Sequence, residues 1–187
     1  MANKDSAFGL RPIGKVGQNR DNQGLSEYDI AASATAIFQN DPVEMAATGT
    51  ITVAAATDTL LGSLTGVFFT DASTSKPTFA NHLKGSNTAT DIKGFVSDDP
   101  YERFEIQSDD ATAAADVGLN ADIVYASGAT PNFVSKVELD HSDLKTATAQ
   151  LRVLGISKDI DNNEAGSANV NLVVMINEHF LKGTVGI

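Results

Sequence analysis

The sequence predicts an all-β protein: a single β-sandwich or barrel-like domain with one short helix and an extended N-terminal arm. Three observations carry this. Short apolar runs with alternating patterning recur between turns rich in Gly, Pro, Asn and Asp. Only one short stretch has helix chemistry. The last third reads as strand, polar turn and strand, over residues 151–160, 161–169 and 170–180, the last being the strongest strand in the chain.

The elements follow in order. Residues 1–27 are interrupted by Gly9, Pro12, Gly14, Gly17 and Gly24, so they read as an extended arm with Phe8, Leu10 and Ile13 as apolar anchors. The β-domain then covers 28–187. Residues 28–31 and 36–38 are weak strand candidates, Asp41-Pro-Val43 is a turn, and 50–53 alternates with β-branched residues. Residues 66–70 suit a buried strand, and 71–91, rich in Ser, Thr, Asn and Asp, reads as a long surface loop. A strand at 94–96 meets the turn 97–100. Residues 101–107 alternate, with Phe104 and Ile106 on one face.

Residues 111–118 hold the helix, with Thr112 as N-cap and Gly118 as stop. Residues 121–125 and 133–139 are further strands, and 140–150 is a polar connection. In the last strand Val170, Leu172, Val174 and Ile176 share one face, while Val173 and Met175 alternate with Asn on the other. Such a sheet is buried fully on one side and partly on the other.

Composition sets bounds. The 187 residues suffice for one domain with arms, and the 42% apolar content supports a core built from Val, Ile, Leu and Phe. The absence of cysteine removes disulfide and thiolate chemistry. No apolar run is long enough for a membrane helix, and the first residues lack the apolar segment of a signal peptide. The net charge of −11 argues against a nucleic-acid partner. Charge is also uneven. Residues 1–20 carry Lys4, Arg11, Lys15 and Arg20 against Asp5 alone, net +3; residues 21–187 carry nine cations and 23 acids, net −14. A basic arm on an acidic body suits contact with an acidic surface.

Chemistry is scarce. His82, His141 and His179 are isolated, without metal spacing. Asp140-His-Ser-Asp143 crowds the residue types of a hydrolytic triad into four positions, whereas a triad converges from separate elements; it reads as a turn. Asp159-Ile-Asp-Asn-Asn163 has alternating oxygen ligands, but an EF-hand needs Gly where Glu164 stands and Glu where Val170 stands. Asp109, Asp110 and Asp116 flank the helix, where Asp is common for capping. Neither a nucleophile elbow nor a phosphate-binding Gly loop is present. No catalytic, cofactor or metal site is expected.

Five segments carry a resemblance: Ala7-Phe-Gly-Leu-Arg-Pro12, Asn40-Asp-Pro-Val43, Asp99-Pro-Tyr-Glu-Arg-Phe-Glu-Ile-Gln-Ser-Asp109, Ala114-Ala-Asp-Val-Gly-Leu-Asn120, and the hairpin 151–180 ending Ile176-Asn-Glu-His-Phe180. Together they resemble small head proteins of tailed bacteriophages, known mainly from marine and cyanobacterial phages and described as capsid decoration, cement or head-stabilisation proteins. The resemblance implies a non-enzymatic virion protein, assembled in the host cytoplasm, that sits on the outer capsid surface and ties neighbouring major capsid protein subunits together. It suggests a homo-oligomer, a trimer first and a dimer second. On this reading Lys4, Phe8, Leu10, Arg11, Ile13, Lys15 and Arg20 of the arm are the partner-binding residues, and deleting 2–20 leaves the β-domain folded. The alternatives are a minor tail or head-fibre component and a carbohydrate-binding β-module, the latter disfavoured by the lack of Trp.

Overall fold

Thirteen strands account for most of the regular structure in the computed structural model, which describes residues 2–17 and 24–183. They are β1 (Arg11–Lys15), β2 (Ser26–Asp29), β3 (Pro42–Met45), β4 (Ile51–Val53), β5 (Leu60–Thr70), β6 (Pro77–Ala80) and β7 (Lys93–Ser97). The second half adds β8 (Glu102–Gln107), β9 (Asn120–Ala121), β10 (Ile123–Val124), β11 (Glu138–Leu139), β12 (Leu151–Ile156) and β13 (Asn171–Ile176). The chain is all-β, with antiparallel sheets, and no helix reaches seven residues among the described residues.

One sheet has the order β1-β8-β13-β12-β9. Its central strands pair with their apolar rows in phase: Leu151 faces Ile176, Val153 faces Val174, and Leu172 faces Ile106. Because side chains alternate, all these residues point to one side, where they are fully buried with Phe104. A second sheet has the order β2-β7-β5-β3-β4, with β6 also pairing β5, and β10 and β11 form a separate ribbon. The prolines sit where a strand tolerates a missing N–H: Pro12 on edge strand β1, Pro42 and Pro77 at the first residues of β3 and β6.

The apolar interior divides into two clusters. One underlies the five-stranded sheet and includes Leu10, Leu60, Phe104, Ile123, Leu139, Leu151 and Leu172. The other includes Ile30, Ile37, Ile51, Leu61, Leu64, Leu83 and Val96. Consecutive residues Leu60 and Leu61 of β5 enter different clusters, as opposite faces of one strand require.

The extended arm expected over residues 1–27 lies, over residues 2–17, against the domain rather than apart from it. They are built into the domain: Arg11–Lys15 is a strand of the main sheet and Leu10 is completely buried. Asn162 grips the backbone at Lys4 from both sides, accepting from its N–H at 2.9 Å and donating to its carbonyl at 2.8 Å. Gln107 accepts from the Ser6 N–H at 2.8 Å and donates to the Lys4 carbonyl at 3.0 Å. At Gly9, φ is +73°, and a Cβ would stand 2.3 Å from the Asn40 carbonyl and 2.5 Å from Ser135. Only glycine lets the segment pass there, placing the Leu10 N–H 2.9 Å from that same carbonyl. Residues 18–23, including Arg20, lie outside the described residues, and Ser26–Asp29 is already a strand.

Three further expectations change. The helix over 111–118 reduces to a 3-10 turn, Ala114–Asp116. Thr112 does not cap it, being buried with its hydroxyl 2.8 Å from that of Ser108; Asp116 accepts from the Ala113 N–H instead. The loop 71–91 contains β6, and its later part packs inward through Leu83, whose backbone pairs with Ile37, and through Ala89. Within 133–139 only Glu138–Leu139 is a strand, because Phe133 takes a positive φ and stacks on His82 at 3.9 Å.

Candidate interaction surface

The outer face of the five-stranded sheet is the candidate site. Strand register builds it as two rows. One row crosses all five strands, from Gly14 on β1 through Arg103, Met175 and Arg152 to Asn120 on β9. The other runs from Arg11 through Glu105 and Val173 to Gly155. Since Arg103 and Glu105 are two residues apart on β8, the rows share a face. Bulges in β1 between Pro12 and Gly14, and in β12 between Val153 and Gly155, leave Ile13 44% and Leu154 36% exposed.

A groove of about 550 Å³ opens on this face, lined by Arg11, Ile13, Arg103, Glu105, Ile156, Ser157, Lys158, Asp159 and Val173. A smaller one of about 190 Å³ adjoins it, sharing Arg11 and Asp159 and reaching Lys4, Phe8 and Asp161. Within the larger groove Arg11 is committed to Glu105, whose second oxygen accepts from the Ser157 hydroxyl. Arg152 is exposed and donates through Nε to Asn120 at 3.0 Å. Arg103 differs: its Nε is buried and has no hydrogen-bond partner among the described residues.

The seven residues expected to bind a partner are distributed unevenly. Lys4, Phe8, Arg11 and Ile13 line the two grooves. The Arg11 guanidinium lies 4.5 Å above the Phe8 ring, and Lys4 Nζ is 3.9 Å from Asp161. Leu10 belongs to the core, so it cannot anchor in a partner's pocket while the domain is folded. Lys15 pairs with Asp99 at 2.8 Å, holding that carboxyl below its ordinary range, with the Tyr101 N–H helping. Arg20 is outside the described residues.

No local pattern in the sequence marks Arg103, Lys158 or Arg152: Arg103 on β8 shares a face with Arg152 on β12 only because β13 pairs with both strands, and Lys158 follows the end of β12. The same holds for an aromatic patch on the second sheet. Phe79 is 69% exposed, lies opposite Phe68 across the β5–β6 ladder, and its ring is 5.6 Å from that of Phe95. Lys93 flanks the patch, 2.7 Å from Asp29 and 3.4 Å from Glu27.

The motifs weighed for chemistry have structural partners. Ser142 donates to Asp140 at 2.6 Å, and Asp143 accepts from the Asp122 N–H at 2.9 Å, so the Asp-His-Ser-Asp turn is held by its own carboxylates. Asn162, in the loop read for calcium, is turned inward to clamp Lys4. Among the described residues no group of three or more His, Asp or Glu side chains is placed to hold a metal. No family model matches this chain, and no curated protein or solved structure matches it either.

Proposed function

We propose that this chain is a structural virion protein that binds the outer surface of an icosahedral phage capsid and stabilises contacts between major capsid protein subunits. The resemblance in segments 7–12, 40–43, 99–109, 114–120 and 151–180 supplies the capsid. The observation that carries the mode of binding is the open, cationic and apolar face of the five-stranded sheet on a molecule of net charge −11. A rigid sheet face loses little conformational entropy on docking, unlike an arm that must order on its partner. Repetition over the shell then multiplies weak contacts.

Mixing the protein with expanded, undecorated heads and sedimenting them tests this reading. Co-sedimentation that saturates at hundreds of copies per head supports it, and a few copies would instead mark a tail or head-fibre part. The exposed Phe79 with Phe68 and Phe95 favours a second reading, a glycan-binding β-module, because flat apolar rings stack on sugars. Glycan-array hits lost in Phe79→Ala would establish that reading; an array without hits removes it.

A further inference from the structure

We infer that the groove between Arg11, Arg103 and Lys158 is a carboxylate-receiving pocket that takes an Asp or Glu side chain from an acidic polypeptide segment of the partner. It deepens the proposed capsid reading and rests on it for the partner's identity, though not for the chemistry.

A guanidinium carries five N–H donors and normally spends them on carboxylates, carbonyls or water. In Arg103, Nε is shut off from solvent without a partner among the described residues, so a ligand meets the guanidinium through its terminal nitrogens, on the part of the side chain that lines the groove. Strand register fixes the side chain on the face that the groove occupies, between Gly14, which presents no side chain, and Met175. Lys158 lines the same groove and makes no ion pair among the described residues. Arg11 is different, because Glu105 neutralises it. The groove therefore holds two uncommitted cations, with Asp159 at its edge.

The rest of the lining selects among anions. Ile13, Ile156 and Val173 give apolar walls that suit the methylenes of an acidic side chain. A nucleic-acid backbone suits it less. Its phosphates repeat every few ångströms and would run from the pocket past Asp159 and Asp161, which line the continuous smaller groove. An extended polypeptide can set one carboxylate between Arg103 and Lys158 and turn neighbouring acidic side chains away from that rim, because successive side chains point to opposite sides. Guanidinium and carboxylate also match in bidentate geometry.

The probe is an end-capped hexaglutamate peptide, titrated into the full chain at low salt while the Arg103 Nε–H resonance is followed by NMR. The expected result is a saturable shift of that resonance. Affinity, read by calorimetry because Arg103→Gln lacks the resonance, should drop about tenfold in that variant and change less than twofold in Arg152→Gln, whose side chain shares the face but does not line the groove. Unchanged affinity in a folded Arg103→Gln overturns the proposal. If that variant does not fold, the wild-type resonance decides alone: no shift at saturating peptide overturns it. Tighter binding of an oligothymidylate of equal charge also overturns it. The two readings fail separately: hexaglutamate shifting Arg103 Nε–H while the protein ignores expanded heads refutes the capsid reading alone. Undiminished head binding by Arg103→Gln, with no shift of the wild-type Arg103 resonance on adding peptide, refutes the pocket alone.

Discussion

Replacing Asp41 with Asn should abolish a pH-dependent term in the stability of this fold, so that the difference between variant and wild type changes sign with pH. Asp41 is fully buried beside the first residue of β3. One carboxyl oxygen accepts from the Phe38 N–H at 2.7 Å; the other makes no hydrogen bond of normal length among the described residues, although the nearby Ser135 side chain favours the charged form. Burial pushes its pKa from 3.8 up to about 6, against the opposing pull of hydrogen bonds. The folded state thus holds its proton more tightly than the unfolded state does. Stability from this group is complete below about pH 4, is lost as pH rises towards 6, and stays lost above. At ~1.4 kcal/mol per pH unit, the loss is about 3 kcal/mol. Asn keeps an acceptor for Phe38 and carries no charge, but its amide N–H group lacks a partner, at a cost of about 1–2 kcal/mol. The variant should therefore be less stable than wild type at pH 4 and more stable at pH 7. The difference should swing by about 3 kcal/mol. Urea unfolding followed by far-UV circular dichroism at the two pH values measures it. A swing below about 1 kcal/mol would refute the assignment of a buried, largely unpaired carboxylate.

Three further outcomes follow from the same structure. His179 is buried, which pushes its pKa down to about 4, with the Lys182 charge adding to the effect; its stability contribution is present above about pH 6.5 and lost as pH falls towards 4. His179→Gln should flatten the acid limb of the stability profile by about 3 kcal/mol in urea titrations. Leu10→Ala should cost about 2–5 kcal/mol by thermal or urea unfolding, because Leu10 lies in the core; a loss under 1 kcal/mol would return it to a free arm. Gln107→Leu removes the acceptor of the Ser6 N–H and one of the two donors to the Lys4 carbonyl, so hydrogen exchange at the Ser6 amide should accelerate at least tenfold while Leu172 stays protected.

The β-character and the central hairpin were legible because they rest on local periodicity. Leu172, Val174 and Ile176 alternate on β13, and their partners Leu151 and Val153 alternate on β12, so the sequence declares the buried face. The N-terminal segment reads as an arm because the groups that hold it to the domain are remote in sequence. Gly9, Pro12 and Gly14 look like breakers, yet Pro12 tolerates an edge strand and Gly9 fits against Asn40. Asn162 and Gln107 hold Lys4 through side-chain amides more than 100 positions away, and no local pattern announces such contacts. Residues 111–118 read as helix because Ala-rich composition favours helix, whereas Thr112 is drawn into a buried hydroxyl pair with Ser108. Of the candidate site, Arg11 and Ile13 were visible as basic and apolar residues of the first segment. Arg103 was not, since its significance comes from neighbours placed by register across four strands.

The central claim is that the outer face of the five-stranded sheet binds a capsid surface. Cryo-electron microscopy of expanded heads incubated with the protein tests it most directly. The account predicts density for this chain on the outer shell, with Arg11, Ile13 and Arg103 turned towards the capsid subunits. Heads without added density, or a bound chain whose Arg103 face looks outward to solvent, would contradict it.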